Sequence, residues 1–301
     1  MPDKPILTPT ERRKRREIRR QKQREANLGR AQKMRQARLA ATDEKLTGRF
    51  SFPEALPAPR LNVGCSGWFY WHWRGGFYPG DMPTKLWFPH YASSFKTVEL
   101  NAPFYSWPTV ATVNSWRRQA GQQEFLYSVK VCELITHVRR FHGTKQLIAD
   151  FGFIADLLGP LMGCFLFQLP PSFHYTPARL RNILGQLEPE RRNVIEFRHA
   201  SWWNETVFAK FRETGTIFCS CSSPKLPDEL VKTADDVYIR FHGKHQWYRH
   251  DYSEEELAVW TDRIQRSGAE RVWAYFNNDR EGYAIKNANM FLRQNRSLVL
   301  R

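Results

Sequence analysis

Three side chains of this 301-residue sequence are of the types that move protons: Glu99, Glu196 and His242. Histidine titrates near neutral pH, so His242 is the expected general acid/base, with Glu99 or Glu196 as a second proton-transfer group or as the orienter of its ring. Lys130, Arg198 and Arg240 set three cations against the two carboxylates. Cations so placed keep glutamates ionised and can bind or polarise an anionic or carbonyl oxygen. The charge balance points to a small polar, anionic substrate, such as a phosphorylated or carboxylated molecule. Asn101, Tyr105, His137, Gln168, Asn277 and Asn278 would add hydrogen bonds to it, and Trp68 a stacking ring. A competing reading uses the same residues. Charges inside a protein are costly unless paired, so Glu196 with Arg240 or Arg198 could form an ion-pair network that only fills space. The two roles are compatible.

These residues must be brought together by the elements that carry them. In Val194–Phe197 and Arg198, Ile195 and Phe197 share one face of a strand, Glu196 and Arg198 the other. Similar short runs recur at Leu61–Cys65, Thr97–Asn101, Phe125–Lys130, Cys164–Gln168, Thr216–Ser220, Asp236–Phe241 and Val272–Phe276. Amphipathic stretches lie between them: Thr84–Phe95, Val110–Ala120, Gln146–Leu158, Pro177–Leu187, Glu205–Thr214 and Glu254–Ser267, with Ala284–Gln294 last. Lys225–Lys232, after the sixth run, has a poor helical pattern. Eight strands alternating with helices predict a TIM-type (β/α)8 barrel over 61–301. A doubly wound open sheet is the runner-up, but no glycine-rich dinucleotide turn follows the first strand. In the barrel, one parity of each strand packs under the helices. The other faces the interior and ends in Glu99 and Asn101, Lys130, Gln168, Glu196 and Arg198, Arg240 and His242, and Asn277. Polar groups thus gather at the C-terminal ends of six strands, where barrel enzymes build their sites.

The net charge of +16 is uneven: residues 1–49 hold 16 Lys/Arg and 6 Asp/Glu, whereas the rest holds 30 and 24. From Thr10 to Leu39 the apolar residues form no continuous stripe, so a disordered or solvated helical basic extension is expected. A Pro-rich linker, 50–60, would join it to the barrel. Residues 10–40 could contact nucleic acid electrostatically. That gives the alternative function, a nucleic-acid-binding protein using the arm and the aromatic and basic barrel mouth. No membrane partner is expected, because no apolar run reaches a membrane span. Five cysteines without framework spacing and no apolar signal core predict a cytoplasmic protein. No cofactor is expected. A divalent metal on Glu99, Glu196 and His242 is a secondary option, since no short-range ligand motif is present. The aromatic run Trp68–Trp73 with Phe77-Tyr78 is expected to cap the mouth as a packed cluster.

Several ordered motifs also look familiar: Gly64-Cys65-Ser66-Gly67-Trp68, Val98-Glu99-Leu100-Asn101 with Phe104-Tyr105, Ile135-Thr136-His137, and Phe167-Gln168-Leu169-Pro170-Pro171. So do Glu196-Phe197-Arg198-His199 with Trp202, Arg240-Phe241-His242-Gly243, and Phe276-Asn277-Asn278 with Asn287-Ala288. Together, from about Asn62 to Phe291, they resemble the YecE-like family (domain of unknown function 72). The resemblance implies a TIM-type barrel and no established reaction; an acid/base lyase, isomerase or hydrolase all remain open. Where the resemblance would place an Asp near the end of the sixth strand, this chain has Cys219-Ser220-Cys221-Ser222.

Overall fold

The computed structural model describes residues 8–41, 60–121 and 123–296. The end of the basic extension and all of the expected linker except Arg60 lie outside them. Each expected run is a strand: β1 (Leu61–Cys65), β2 (Thr97–Leu100), β3 (Leu126–Lys130), β4 (Met162–Gln168), β5 (Asn193–Glu196), β6 (Ile217–Ser222), β7 (Asp236–Phe241) and β8 (Arg271–Phe276). All pairings are parallel, in the order β1-β8-β7-β6-β5-β4-β3-β2. The sheet is therefore a nearly closed TIM-type barrel. At the seam between β1 and β2 a side chain replaces the ladder. The Tyr91 hydroxyl accepts from the Cys65 amide at 2.8 Å and donates to the Thr97 carbonyl at 3.0 Å. Gly64 permits this approach, since a Cβ there would meet Thr97 O at 2.2 Å.

Helices α1 (Pro9–Ala40), α2 (Trp87–Ser94), α3 (Val110–Ala120), α4 (Lys145–Leu158), α5 (Pro177–Leu184), α6 (Glu205–Thr214), α7 (Glu254–Ser267) and α8 (Tyr283–Gln294) complete the main elements. Their ends follow local chemistry. Ser253 and Glu256 form a reciprocal capping box on α7, and Gly268 takes a left-handed conformation at its C-terminus. No helix separates β6 from β7, as the poor helical pattern of 225–232 foretold. Among the described residues no helix is long and apolar enough to cross a membrane.

Strand parity divides the core in two. Outward residues such as Val129, Phe167, Ile195, Phe197, Ile239, Phe241 and Phe276 pack against the helices. Inward residues Leu126, Cys164, Leu166, Val194, Ile217, Cys219, Tyr238, Trp273 and Tyr275 form a separate cluster inside the barrel. Above it the interior turns polar: the Tyr275 hydroxyl meets Thr97 and Ser128, and the charged layer follows toward the C-terminal ends of the strands, the mouth. The aromatic run after β1 packs as expected, with Tyr78 stacked on Trp87 at 4.6 Å and Trp73, Tyr78 and Trp87 buried.

The basic extension departs from expectation. It is a helix, but not a wholly solvated one. Asn27, Ala31 and Met34 are buried, and Arg38 pairs with buried Asp150 on α4 at 3.1 Å. These positions recur every three or four residues, on one helical face. That face is narrow and mostly polar or small, so hydrophobic patterning could not reveal it. Asn27 Nδ2 donates to the Tyr105 carbonyl at 3.0 Å, and its Oδ1 accepts from the Trp107 amide at 2.9 Å. Arg30 bonds Ser106 at 2.6 Å. Helix α1 thereby clamps the loop that follows β2 at the mouth.

Candidate functional site

Strand alternation brings Glu99, Lys130, Glu196 and Arg240 into the barrel, from β2, β3, β5 and β7. Arg240 lies at the centre. Its Nη2 reaches Glu99 Oε1 at 2.5 Å and its Nη1 reaches Glu196 Oε2 at 2.5 Å. Ser66 Oγ and the Tyr238 hydroxyl each donate to Glu99 at 2.7 Å. Arg198 and His242 Nε2 share Glu196 Oε1, the latter at 3.2 Å. Both carboxylates are fully buried, and each oxygen has a partner. Burial pushes the Glu196 carboxyl up, but Arg198, Arg240 and His242 outweigh it and hold it well below the ordinary carboxylate range. Burial disfavours the Arg240 cation, yet Glu196 and Glu99 hold it firmly charged.

His242 is fully buried. Burial and then Arg198 drive its ring well below the usual histidine range, against the pull of Glu196, so it is neutral at pH 7. Its Nε2 lies 3.0 Å from Arg198 Nη2 and 3.2 Å from Glu196 Oε1, and its Nδ1 lies 3.2 Å from Asn277 Nδ2, so the ring is held from both sides. The geometry makes His242 a brace for Glu196 more than a proton shuttle. Trp247 and Tyr248 close over it, and Trp247 also stacks on the Arg198 guanidinium at 4.7 Å.

Lys130 differs from the other ions. It is buried at 8% exposure, but among the described residues its Nζ makes no hydrogen bond or ion pair. Its contact is the face of Phe104, 4.1 Å to the ring centroid. Burial first, and then Arg240, lower its ammonium to about 7, with Glu196 and Glu99 opposing. His137 packs edge-on against the same Phe104 ring at 4.9 Å. Burial and Lys130 hold that imidazole down at about 4. It sits on a π-helical turn, Leu134–Val138, after which Arg140 and Phe141 adopt positive φ. All four non-glycine positive-φ residues among those described, Arg140, Phe141, Tyr248 and Glu281, lie on loops following β3, β7 and β8 at the mouth. Strained backbone of this kind clusters at functional sites.

The remaining candidates divide. Asn101 Nδ2 donates to the Ser66 carbonyl at 3.0 Å while its Oδ1 is buried without a partner. Gln168 ends β4, beside Glu196 in the ladder, and is half-buried. Trp68 is half-buried against Phe88, and Tyr105 is exposed beside the α1 clamp. Asn278 is not brought to the mouth: it is fully buried, donating to the His250 carbonyl and to Asn287 on α8. The partners missed from sequence were Ser66, Tyr238, Trp247 and Tyr248. Tyr238 was legible, since it shares the inward parity of Arg240; the two loop rings left no signal.

Two groups could hold a metal. Glu196, Cys219 and Cys221 have ligand atoms within 4.8 Å of one another, as do His245, His250 and Glu256 on the loop after β7 and on α7. In the first, the glutamate oxygens already serve Arg240, Arg198 and His242. Burial also raises the Cys219 thiol well above its ordinary range. A metal there would have to displace those partners.

Comparisons with known proteins agree with this architecture. A family model described as "Protein of unknown function DUF72" matches residues 62–299. UPF0759 protein YunF of Bacillus subtilis (strain 168) is 24% identical over 268 residues, covering 77% of this chain and 93% of that protein. UPF0759 protein YecE of Escherichia coli (strain K12) is 30% identical over 201 residues, covering 58% and 72%. The crystal structure of a DUF72 family protein from Thermotoga maritima MSB8 superposes with a TM-score of 0.69 at 26% identity, over 77% of this chain and 98% of that one. A DUF72 family protein from Enterococcus faecalis V583, at 19% identity and a TM-score of 0.65, shares the fold over 78% of this chain and 94% of its own.

Proposed function

The chain belongs to the DUF72 family of proteins of unknown function, and from that premise we propose that the barrel mouth is the active site of an enzyme doing proton-transfer chemistry on a small, polar, anionic substrate. The observation that carries this reading is Lys130. Every other ion of the charged layer has a partner, whereas this amine is held near neutrality at a strand end. A catalytic acid or base works best with a pKa near the working pH, and burial beside other cations is the usual way to tune a lysine there. The general acid/base role first given to His242 therefore passes to Lys130. Glu99, Glu196, Arg240 and His242 form the rigid floor that fixes Arg198 and the electrostatic field around the amine. Arg198, Asn101, Gln168 and Asn277 supply contacts to the substrate, with Trp68 and Trp247 at the rim. A thermal-shift screen of carboxylated and phosphorylated small molecules tests the reading. It expects stabilisation of the wild type and a much smaller shift in Lys130→Met; no shift from any anion would remove the basis for an anionic substrate.

A second reading, binding of nucleic acid, draws on α1. Asn27 and Arg30 dock on the loop after β2 at the mouth, whereas Arg38 docks on α4 of the barrel wall. The first half of α1 therefore extends on the mouth side, with Arg13, Lys14, Arg15, Arg19 and Arg20 exposed. Such a basic rod suits a polyanion. Affinity for single-stranded RNA that falls steeply with salt, and is lost when residues 1–26 are deleted, supports this reading. Salt-insensitive binding, or none, contradicts it.

A further inference from the structure

We infer that Lys130 is a nucleophile that forms an imine with its substrate, and that the substrate is an anionic carbonyl compound such as a 2-oxo acid. This rests on the reading of the mouth as a site for a small anion, and it names the chemical class of that anion.

An ammonium taken out of water is costly unless a carboxylate receives it. The two carboxylates of the charged layer are committed elsewhere: Glu99 to Arg240, Ser66 and Tyr238, and Glu196 to Arg240, Arg198 and His242. Lys130 meets the face of Phe104 instead. Burial first, and then the nearby guanidiniums, disfavour its charge, so a substantial share of the free amine is present near pH 7. Desolvation together with a neighbouring cation is how lysines are activated for attack on carbonyl carbon. A general base alone does not need an amine; imine formation does, and arginine cannot substitute for it.

The chemistry balances without any other reagent. The lone pair of Nζ forms a C–N bond to the carbonyl carbon, and the carbonyl π pair moves to oxygen. That oxygen takes a proton as the nitrogen loses one, giving a carbinolamine. Asn101 directly follows the adjacent strand β2, and its Oδ1, buried without a partner, is suited to accept from the new hydroxyl. The hydroxyl takes a proton from solvent and leaves as water as the nitrogen lone pair forms the C=N bond, giving the protonated imine, an electron sink for the pair released when a bond to the α-carbon breaks. Hydrolysis returns the free amine. One positive charge remains in excess when the nitrogen is cationic, since Arg198, Arg240 and the imine face Glu99 and Glu196, and an anionic substituent on the substrate would balance it.

Reductive trapping on the wild-type, full-length protein tests this. The protein is treated at pH 7 with glyoxylate and cyanoborohydride, which delivers hydride to the imine, and modification of each lysine is followed by peptide mass mapping. Lys130 should be modified at least roughly tenfold faster than exposed lysines such as Lys14 and Lys85, because at that pH an ordinary lysine is almost wholly protonated. Lys130 modified no faster than those residues overturns the imine. Protection of Lys130 by oxalate, an anion with no reactive carbonyl, reads the anion site separately. Protection without preferential modification overturns the imine and leaves the anion site standing. Preferential modification without protection upholds the nucleophile and removes the anion site.

Discussion

The Arg240 guanidinium meets the Glu196 carboxylate inside the barrel, Nη1 to Oε2 at 2.5 Å, with neither side chain more than 1% exposed. Its other nitrogen serves Glu99, so one cation ties β2, β5 and β7 together. Arg240→Met would leave two buried carboxylates short of their shared partner. We expect a stability loss of about 3–5 kcal/mol, the usual result of breaking a buried pair from one side. Urea denaturation measures it, and a loss below about 1 kcal/mol would mean that water reaches the layer.

Lys130→Met should act in the opposite sense. The native fold holds the amine near 7, whereas the unfolded chain keeps it at the ordinary value of 10.5. At neutral pH that difference opposes folding, by an amount on the order of a few kcal/mol. Methionine fills similar space without the charge, so the variant should unfold at higher urea while ligand-induced stabilisation disappears. Stability traded for a reactive group is common at functional sites. A destabilised variant would instead identify Lys130 as part of the packing.

Much of this layer was legible beforehand, and the reasons differ by residue. Glu99, Lys130, Glu196 and Arg240 were placed by parity alone, because one inward residue in two is a property of any strand. The docking of α1 was not. Asn27 is held by backbone groups of Tyr105 and Trp107, and such partners have no signature in side-chain patterning. Nor was the neutral state of His242, which comes from burial under Trp247 and Tyr248 and from the nearness of Arg198, contacts made across the mouth.

Acid should weaken the fold in two stages. His242 and His137 are depressed in the native state, so the unfolded chain takes up protons first, near 6.5, and stability falls as pH drops through that value. Glu196, held low by its cations, contributes stability that is present above 4.5 and lost as pH falls further. Asp279 opposes the first stage, since burial raises it to about 6 and its protonation favours the fold. The net loss between pH 7 and 5 should be about 1–3 kcal/mol. Urea midpoints across that range check it; a flat profile would contradict the neutral imidazoles.

Asn27→Ala should loosen α1. The substitution strips a buried amide that bonds the Tyr105 carbonyl and the Trp107 amide, a loss of about 1–3 kcal/mol. Limited trypsinolysis should then cut faster at Arg30, Lys33 and Arg35, while the barrel persists. Unchanged cleavage would show that Arg30, Ala31, Met34 and Arg38 hold the helix without Asn27.

The mouth is organised around Lys130, whose Nζ meets Phe104 and no carboxylate among the described residues, and the titration of that amine is the most direct test. Nuclear magnetic resonance of the lysine side chains in isotope-labelled protein, with Lys130→Arg for assignment, follows that amine from pH 5 to 11. A midpoint near 7 is expected. A midpoint near 10.5 would make Lys130 a simple surface cation and contradict the account.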